Sequence, residues 1–570
     1  MNIRRAAGRQ PSVEKQQQKC ARGGRKKTTR RADAQPLAED SRRGVVLIVV
    51  LVLVMMVALA GFGFLSTMST EYEAARLNGS MRQAQQTMAS AESTLLWFAA
   101  LSERERKLLG GTHHNPALFR GHLVEPLKEP GTGTASTPLS TTPLIEESIS
   151  TDPAFVDDRW RFSVVSLDQT PEQNSVLRFG LQNESSKLNL NTLMTWEQAS
   201  PGAGRTSLMQ LPGMTEAIAD AILDWLDADD QTREFGAETE YYQTLDRPYR
   251  AANAVPKQLS ELLFVKGVTR SLLMGISPGS DAANQSSQAP APSINANGDL
   301  ASNTAATIGT GWVQYLTVHS AERNHNRQGQ PRISLNSTGL AELEQKLTAV
   351  LPENMARYIL LARVYGLTLS AEPVSGAEPS AAPYASSMVA AFPIVSLADL
   401  INSTIQVSSA TGLIVVQSPL QSSSPEFATL MAGVFDSTTV TPESVVYGRI
   451  DLQSASETVL KTIPGLTPEL VTQIITQRAT LDPAESGTVA WLLSRNVLDP
   501  PTFRRVFTEL TLGGDVFQCD VIVHRAIGGP MLRRNLVLDA ASTPPRRVYW
   551  ADQTDSSLPY SQELLLPRVQ

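Results

Sequence analysis

The chain has 570 residues, of which 42% are hydrophobic and 18% are charged, and its formal net charge is −7. A chain of this length exceeds what one hydrophobic core usually organises, so we expect two or more folded units. Residues 1–43 contain thirteen Lys or Arg and four Asp or Glu, which leaves residues 44–570 with a charge of about −16. Such an acidic body argues against a nucleic-acid partner, because phosphate binding depends on Lys and Arg.

An apolar segment follows the basic N-terminus. Residues 45–65 carry no charged side chain over 21 positions, which is long enough for a helix to cross roughly 30 Å of hydrocarbon. The apolar core of a cleaved secretory signal is usually shorter, about 7–15 residues. Because the basic flank lies on its N-terminal side, the positive-inside rule predicts that residues 1–43 stay in the cytoplasm and that the body crosses the membrane.

An apolar stripe continues beyond the membrane segment. Its members are spaced alternately by four and three residues, which is the period of one face of a helix. The stripe consists of Leu77, Met81, Ala84, Met88, Ala91, Leu95 and Phe98. It predicts that one long helix extends from the membrane into the body and packs there under other elements.

Strand-like segments lie near both ends of the body. Residues 159–167 and 175–183 flank a turn-rich stretch, and residues 516–524 and 531–539 flank a second turn that contains glycine and proline. Such pairs of segments are typical of β-hairpins. Residues 547–550 add a possible last strand. We therefore expect one sheet that is interrupted by everything between the two hairpins.

The interruption contains a degenerate repeat. Its copies begin at Lys187, Arg332 and Arg449, and each contains a short extended run, a Ser or Thr, a tight turn and an amphipathic helix. Ser and Thr are good helix caps. The pattern resembles the helix-hairpin-helix unit.

A helix-hairpin-helix raises the alternative of DNA binding, since related units place a Gly-x-Gly turn against phosphate. Here Thr215 and Thr467 stand where the second glycine would be, and the middle copy has Pro352 and Glu353 in its turn. A side chain obstructs the close approach of the backbone to phosphate, and a carboxylate repels it. These departures, together with the acidic body, favour a packing role for the repeats.

Carboxylates are concentrated after the first repeat. They are Asp224, Asp227, Asp229, Asp230, Glu234, Glu238 and Glu240. Calcium accepts six to eight oxygen ligands of this kind, although the spacing is not that of an EF-hand. A solvated acidic loop and a general acid/base pair are the alternatives, and for the latter no companion His or Ser nucleophile is evident in the sequence.

Residues 187–275 resemble the type II secretion protein K family of minor pseudopilins. The segments that carry the resemblance are LNLNT, LPGM, ADAILDWLDADD, GAETEYY, PYRAAN and ELLFVKGV, and it extends loosely over residues 449–550. The resemblance implies an α+β fold in which a long transmembrane and amphipathic helix packs on a pilin-like antiparallel sheet. A large, mostly α insertion with helix-hairpin-helix-like repeats would interrupt that sheet.

The resemblance also implies a function and a cofactor. The function is structural and not enzymatic: the chain would help form the pseudopilus tip and so support export of folded proteins across the outer membrane. The implied cofactor is calcium. The ligands carried over by position are Asp227, Asp229, Asp230, Glu238 and Glu240.

The implied partners are other minor pseudopilins, resembling proteins I, J and H, together with prepilin peptidase and the inner-membrane secretion platform. No nucleic acid is expected. The implied location is the cell inner membrane, with a single pass, a cytoplasmic N-terminus and a periplasmic body. A membrane-anchored DNA-uptake receptor and a type IV pilus minor pilin are the alternative functions.

The boundaries predicted from these patterns divide the chain into nine segments. They are a basic leader (1–44), the transmembrane and amphipathic helix (45–108), a linker (109–150), the first strands (151–185), an α-helical domain with the acidic loop (186–275), a second linker (276–308), an extra repeat region (309–448) with a linker at 370–388, a second helix-hairpin-helix-like unit (449–500) and the C-terminal strands (501–570). Residues 276–448, which include the second linker and the extra repeat region, depart from the compact family pattern.

The junction between leader and apolar segment resembles a prepilin peptidase site. Arg43 and Gly44 directly precede the apolar run, without a polar spacer. Most pilins have Glu at the fifth position after the cut, where this chain has Val49. Protein K typically lacks that Glu, because a subunit at the tip has no neighbour above it whose terminal amine needs neutralising. An uncleaved membrane anchor is the alternative.

We predict that prepilin peptidase cleaves after Gly44 and leaves Val45 as an N-methylated terminus. Mass spectrometry or terminal sequencing of the membrane-extracted protein measures this directly. An intact Met1, or a cut between Gly61 and Ser66, contradicts the prediction.

Overall fold

The computed structural model describes residues 42–124, 159–168, 176–275, 311–409, 412–482, 485–526, 528, 531–554 and 565–566. Most of the predicted leader and of the linkers at 109–150 and 276–308 therefore lies outside the described residues. The chain divides into two units, Met1–Leu77 and Asn78–Gln570.

Helices and strands of varied length are distributed along the described chain. The helices are α1 (Arg42–Ala100), α2 (Glu103–Leu108), α3 (Pro116–Phe119), α4 (Leu190–Ala199), α5 (Ala203–Leu208), α6 (Glu216–Leu226), α7 (Thr239–Gln243), α8 (Arg270–Met274), α9 (Leu340–Thr348), α10 (Glu353–Tyr365), α11 (Phe427–Ser437), α12 (Glu457–Lys461), α13 (Pro468–Arg478), α14 (Trp491–Ser494) and α15 (Pro500–Val506). The strands are β1 (His122–Leu123), β2 (Trp160–Asp168), β3 (Val176–Arg178), β4 (Gln182–Asn183), β5 (Leu188–Asn189), β6 (Leu316–Thr317), β7 (Ala321–Arg323), β8 (Ile333–Ser334), β9 (Thr404–Ser409), β10 (Gly412–Gln417), β11 (Thr438–Thr439), β12 (Val445–Tyr447), β13 (Ile450–Asp451), β14 (Leu510–Thr511), β15 (Val516–Arg525), β16 (Leu532–Asp539) and β17 (Arg546–Asp552).

The first unit contains the apolar part of α1. Its large apolar side chains are exposed, for example Leu47 at 71% and Leu59 at 75%. Within the described residues, α1 is the helix that is long and apolar enough to cross a membrane, and its most apolar window has a mean hydropathy of 3.0. This composition fits a single-pass membrane anchor.

The second unit contains an antiparallel sheet with the order β1-β2-β15-β16-β17. Strand β3 also pairs with β2, and β4 with β15. The predicted C-terminal hairpin is confirmed, because Val521 on β15 pairs with Arg534 on β16. On its other side, Val521 pairs with Val164 on β2. The prediction of one sheet made from both ends of the body is therefore confirmed.

The C-terminal part of α1 packs on this sheet and forms a hydrophobic core with it. Ala84, Met88, Ala91, Leu95 and Phe98 are all fully buried in that core. The stripe prediction is thus confirmed over this range, and burial of each large side chain contributes about 1.5–3 kcal/mol relative to exposure.

The start of the predicted stripe is wrong. Leu77 is 61% exposed and Met81 is 37% exposed. Neither belongs to the core, whose helical members begin at Ala84. The helical period continues through Leu77 and Met81, but a period predicts only a shared face and not the length of that face which other elements cover.

A second, larger core lies in the insertion and contains apolar side chains from residues 188–510. Helices dominate it, but the insertion also holds short strand pairs, such as the antiparallel hairpin of β9 and β10. Thr215 and Thr467 cap α6 and α13, since their side chains accept the amide protons of Ile218 and Leu470. In the middle copy, α10 follows Pro352, which provides no side-chain cap.

Two predicted linkers are partly wrong. Within 109–150, Phe119 is buried and forms an edge-to-face contact with Phe98 at 5.3 Å between ring centroids, and β1 joins the sheet. Within 370–388, Arg357 donates hydrogen bonds of 2.9 Å to the carbonyls of Pro379 and Ala382. Ala and Pro gave these stretches a linker-like composition, yet small side chains pack closely and their carbonyls have partners.

The last predicted segment, 501–570, does not consist of sheet strands throughout. Phe503 and Val506, on α15, belong to the core of the insertion. Strand β14 pairs with β13 and not with the main sheet. The C-terminal part of that sheet therefore begins at Val516, since the preceding apolar residues have helical spacing and follow an Asp499 cap.

Candidate metal centre

Helix α6 supports the acidic cluster. Thr215 caps its N-terminus, and its four-residue spacing places Asp220 and Asp224 on one face. Both carboxylates are fully buried. Asp227 directly follows the last residue of the helix, and its amide still donates to the carbonyl of Leu223 at 3.0 Å. The sequence that follows must therefore turn back over two buried negative charges.

The loop after α6 satisfies those charges with its own backbone. Asp224 accepts the amide protons of Ala237 at 2.8 Å and of Arg233 at 3.3 Å. Asp220 accepts the amide of Phe235 at 3.2 Å and both ends of a bidentate contact from Arg205 at 2.6 Å. Buried carboxylates with several donors are well stabilised. They hold the loop in one conformation.

Gly236 lets the loop approach α6 closely. A Cβ atom at this position would overlap the carboxylate of Asp224. The side chain of Asp224 would then have to move, and the amide of Ala237 would lose its acceptor. We infer that glycine is needed here for steric reasons and not for an unusual backbone conformation.

This arrangement brings Asp224, Asp227 and Glu238 together, with one oxygen of each lying within 4.8 Å of the others. Arg233 is the cation among them, since its Nη1 lies 2.7 Å from Asp224 and 2.5 Å from Asp227. One guanidinium therefore pairs with two of the three carboxyl groups. Negative charge remains in excess wherever all three are ionised.

Several oxygens of the cluster have no hydrogen-bond partner. They are Oδ1 of Asp227 and both side-chain oxygens of Glu238. Glu238 is only 2% exposed. Buried polar atoms are nearly always paired, and unpaired ones require an explanation. An unpaired carboxylate beside other carboxylates is suited to a hard cation.

The cluster changes the acidity of its members. Burial, reinforced by the charges of Asp224 and Asp227, raises the pKa of Glu238 to about 7. Burial also raises the pKa of Asp224 and of Asp227, against the opposing effect of Arg233. Protonation of Glu238 is therefore the response of the cluster to its own charge when no cation is bound.

An aromatic wall lies beside the cluster. Trp225 is buried and meets Tyr242 edge-to-face at 5.3 Å, and Tyr242 stacks on Tyr249 at 5.1 Å. Trp225 thus belongs to the hydrophobic core of the insertion. The low polarity of this wall strengthens the electrostatic interactions between the adjacent carboxylates.

The donor set fits a divalent cation that prefers oxygen ligands. Asp227 and Glu238 offer the unpaired oxygens, and Asp224 lies beside them with both of its own oxygens already accepting hydrogen bonds. The residues suited to hold the ion directly are therefore Asp227 and Glu238. Calcium and magnesium both use such ligands, and calcium tolerates the less regular geometry of a loop.

The structure brings together two of the five residues predicted from the sequence as ligands, Asp227 and Glu238. Asp229, Asp230 and Glu240 are exposed. Asp229 accepts the amide of Gln231 at 2.8 Å, and Asp230 accepts the side chain of an asparagine in the PYRAAN segment at 3.0 Å. These exposed carboxylates contribute charge near the cluster but lie outside the group of three.

Asp224 is the member that the predicted ligand set omitted. Its position one helical turn after Asp220, within an apolar helix, was the available signal, because a carboxylate on a buried face must have partners. The predicted processing residues, Gly44 and Val45, lie in the first turn of α1, far from the acidic cluster in the sequence. Cleavage between them stays a prediction.

The raised pKa of Glu238 predicts a pH dependence of stability in the presence of a chelator. The ordinary pKa of 4.5 applies in the unfolded chain and about 7 in the folded chain. The folded state thus binds the proton more tightly, so stability is full below pH 4.5 and is lost as the pH rises through 7. We expect the melting temperature to fall between pH 5 and pH 8, a range that brackets the folded pKa of about 7.

Glu238→Gln should flatten this decline and melt higher than wild type at the alkaline end, because glutamine is neutral throughout. Glu240→Gln, at an exposed position in the next turn, is the matched control and should keep the wild-type profile. Thermal denaturation in chelator at a series of pH values measures both. Parallel profiles for wild type and Glu238→Gln would refute the assignment.

Comparison with known proteins places this cluster inside a family segment. Residues 186–279 match the family model described as Type II secretion system (T2SS), protein K. The chain is 32% identical over 138 residues to the type II secretion system protein K of Pectobacterium carotovorum subsp. carotovorum, which covers 24% of this chain and 40% of that protein. It is 36% identical over 97 residues to protein K of Pseudomonas aeruginosa, covering 16% and 29%.

A putative protein K of Escherichia coli strain K12 is 35% identical over 66 residues, covering 12% of this chain and 20% of that protein. The matches thus span less than half the length of these relatives. Among solved structures, the GspK–GspI–GspJ complex from the type 2 secretion system of enterotoxigenic E. coli aligns with 84% of this chain and 98% of that chain, at 12% identity and a TM-score of 0.33.

The matched segment begins near the start of the insertion and contains α6, the acidic loop and the aromatic wall. It coincides with the stretch on which the sequence motifs carried the resemblance. Residues 186–279 are therefore the part of the chain that is similar to the type II secretion system protein K family.

Proposed function

We propose that the chain is a minor pseudopilin of a type II secretion system and that it forms the tip complex of the pseudopilus. The observation that carries the proposal is the long helix α1 in a chain with a protein K segment. The first part of α1 is apolar and exposed, and its last part is buried under an antiparallel sheet. A pilin-like subunit needs both properties: one to lie in the membrane or fibre, the other to anchor its body.

The same helix suggests a place at the tip. A subunit within the fibre uses a carboxylate near its N-terminus to neutralise the amine of a neighbour, and Val49 cannot do so. A subunit that starts assembly has no such neighbour to neutralise. The proposed location is the inner membrane, with a cytoplasmic N-terminus and a periplasmic body, in accordance with the basic flank.

The proposed partners are minor pseudopilins that resemble proteins I, J and H. Prepilin peptidase would process the chain and the inner-membrane platform would receive it. A cytoplasmic ATPase elsewhere in the machinery would supply the energy. The proposal assigns no catalytic step to this chain.

The repeated helix pairs are proposed to be helix-hairpin-helix units that serve packing. In two copies a Thr caps the second helix, and the leucines of the turns are buried, with Leu211 at 3% and Leu466 at 8% exposure. Turn residues that face the core are suited to joining helices. The same residues are less available to a phosphate backbone.

We predict that the chain recovers the pseudopilins resembling proteins I and J when they are produced together, and that deleting its gene stops secretion through the system. Replacing residues 46–65 by an unrelated apolar helix should keep membrane attachment but lose the partners, because fibre contacts depend on the shape of that helix. Affinity purification from detergent extracts and assay of secreted protein measure both effects.

The helix replacement is also the control for non-specific recovery of apolar helices. Equal recovery of the partners with both helices contradicts the tip assignment. Undiminished secretion in the deletion strain contradicts the secretion function.

We further propose that calcium binds at Asp227 and Glu238, beside Asp224. The support is the excess of carboxylate charge and the three unpaired oxygens of the cluster. Bound calcium would supply positive charge that neutralises these groups. The chain's own residues hold the loop in position for it: Asp224 and Asp220 bind the backbone, and Gly236 permits the close approach.

We predict that calcium raises the melting temperature and that chelator lowers it. Binding to the folded state stabilises it by about 2.7 kcal/mol at a hundredfold excess over Kd. Magnesium should do less, because it requires a regular octahedron and retains its water. Asp227→Ala combined with Glu238→Ala should abolish the calcium-dependent increment.

Asp229→Ala combined with Glu240→Ala removes the same charge from exposed positions and should retain most of the increment. Thermal denaturation and calorimetry compare the two double variants. If calorimetry detects no calcium binding to wild type, the cluster is not a calcium site, and the secretion proposal is unaffected.

A further inference from the structure

A large polar cavity lies in the second unit between the sheet layer and the insertion. Its volume is about 1180 Å³. Arg106 on α2 and Arg178 on β3 line it from the sheet layer, and Arg323, Arg332 and Arg449 line it from the insertion. It lies outside the family segment that holds the acidic cluster, except for Ser186 at its border.

The cavity is electropositive although the body is acidic. Among the described residues that line it, eight are Lys or Arg and six are Asp or Glu. The whole chain, by contrast, has a net charge of −7. Cationic side chains are thus concentrated where two parts of the fold meet, and a concave site focuses their field.

The excess arises because guanidinium groups share carboxylates. Asp515 pairs with Arg106 at 3.1 Å and with Arg323 at 3.0 Å. Burial opposes ionisation of Asp515, but the two arginines lower its pKa overall. The single negative charge of Asp515 is therefore shared by two positive charges, those of Arg106 and Arg323.

A second network in the cavity, beside the first along β7, repeats the pattern. Glu322 forms an ion pair of 3.0 Å with Arg449 and also interacts electrostatically with Arg332. Arg332 forms no ion pair with any described carboxylate, and its Nε donates to the carbonyl of Asp436 at 3.2 Å. Burial lowers the pKa of Arg332 overall, against the opposing charges of Glu322 and Asp436, and the nearby charge of Arg449 adds to the lowering. A further carboxylate in the cavity would offset both the burial of Arg332 and its repulsion by Arg449.

The volume of the cavity and its mixed charge favour a peptide as the source of that carboxylate. The volume lies above the range of about 300–1,000 Å³ typical of small-molecule sites. Arginines bind separate carboxylates bidentately. The acidic side chains between the arginines can accept peptide N–H groups, whereas they would repel the closely spaced phosphates of a nucleic acid.

We propose that this cavity binds an extended acidic peptide segment of a partner protein, with Arg332 pairing with one of its carboxylates. Arg106 and Arg323 provide a second position for an anionic group. The inference is independent of the metal site, and it assigns a binding role to the extra region that contains Arg332.

The test is binding of a fluorescently labelled, capped peptide of alternating glutamate and glycine to the full chain in detergent, followed by fluorescence anisotropy. We expect saturable binding that weakens with salt and is absent for the glutamine counterpart of the peptide. Arg332→Gln should weaken binding about tenfold, the loss of one strong charged pair. Arg327→Gln, at the more exposed rim, should weaken it about threefold.

Arg270→Gln is the matched control, because Arg270 is exposed on α8 and the substitution changes the net charge equally. It should leave Kd within about twofold of wild type. Since every variant keeps the basic leader, binding to the leader is common to all of them. An unchanged melting temperature shows that a variant is folded.

Weaker binding to Arg332→Gln and Arg327→Gln, with Arg270→Gln unaffected, supports the cavity as the site. Equal binding to all variants assigns the peptide to the leader and overturns the proposal. Tighter binding of a single-stranded oligonucleotide than of the peptide, with the same dependence on Arg332, also overturns it in favour of nucleic acid.

Discussion

The pairing of β2 with β15 is the constraint on which the rest of the body depends. It places Val164 opposite Val521, and the sheet so formed covers the stripe of α1. The insertion must therefore leave and re-enter the sheet at neighbouring points. Closing so long a segment costs only slightly more entropy than closing a short one, about 0.6 kcal/mol for each doubling, provided that its ends are fixed. A buried polar network fixes them: Lys187 contacts Glu184 and Gln518 at 2.6 Å each. Removing one member would leave a buried charge without its partner.

The sequence predicts those parts of the fold that repeat a local period. The stripe from Ala84 to Phe98 and the hairpin of β15 and β16 have periods that burial on one face explains. The exposed start of the stripe, the packed residues 370–388 and the helix α15 were not predictable in this way. Their outcome depends on which surfaces meet in three dimensions, and a composition rich in Ala and Pro is compatible with both a linker and a packed turn.

The acidic cluster shows the same division between local and tertiary information. The density of carboxylates predicted a charged loop, and Asp227 and Glu238 do come together. What the sequence could not supply was the direction of each side chain. Asp224 turns into the core because α6 is apolar on that face, whereas Asp229 and Asp230 on the loop and Glu240 on α7 are exposed to solvent. Gly236 contributes to this difference, since the space it leaves lets the backbone amide of Ala237 donate to Asp224.

Two sites of opposite sign in this body follow one electrostatic rule. At the cluster, one guanidinium, Arg233, lies between two carboxylates with a third beside them. At the cavity, one carboxylate, Asp515, lies between two guanidiniums. A network that is unequal in this way is held by its internal pairs but keeps charge that those pairs do not neutralise. Burial makes that residual charge costly and therefore selective, because a counter-ion of the wrong sign adds to the repulsion. The internal pairs hold the geometry of each network, and the unpaired remainder determines the sign of the counter-ion that each network favours.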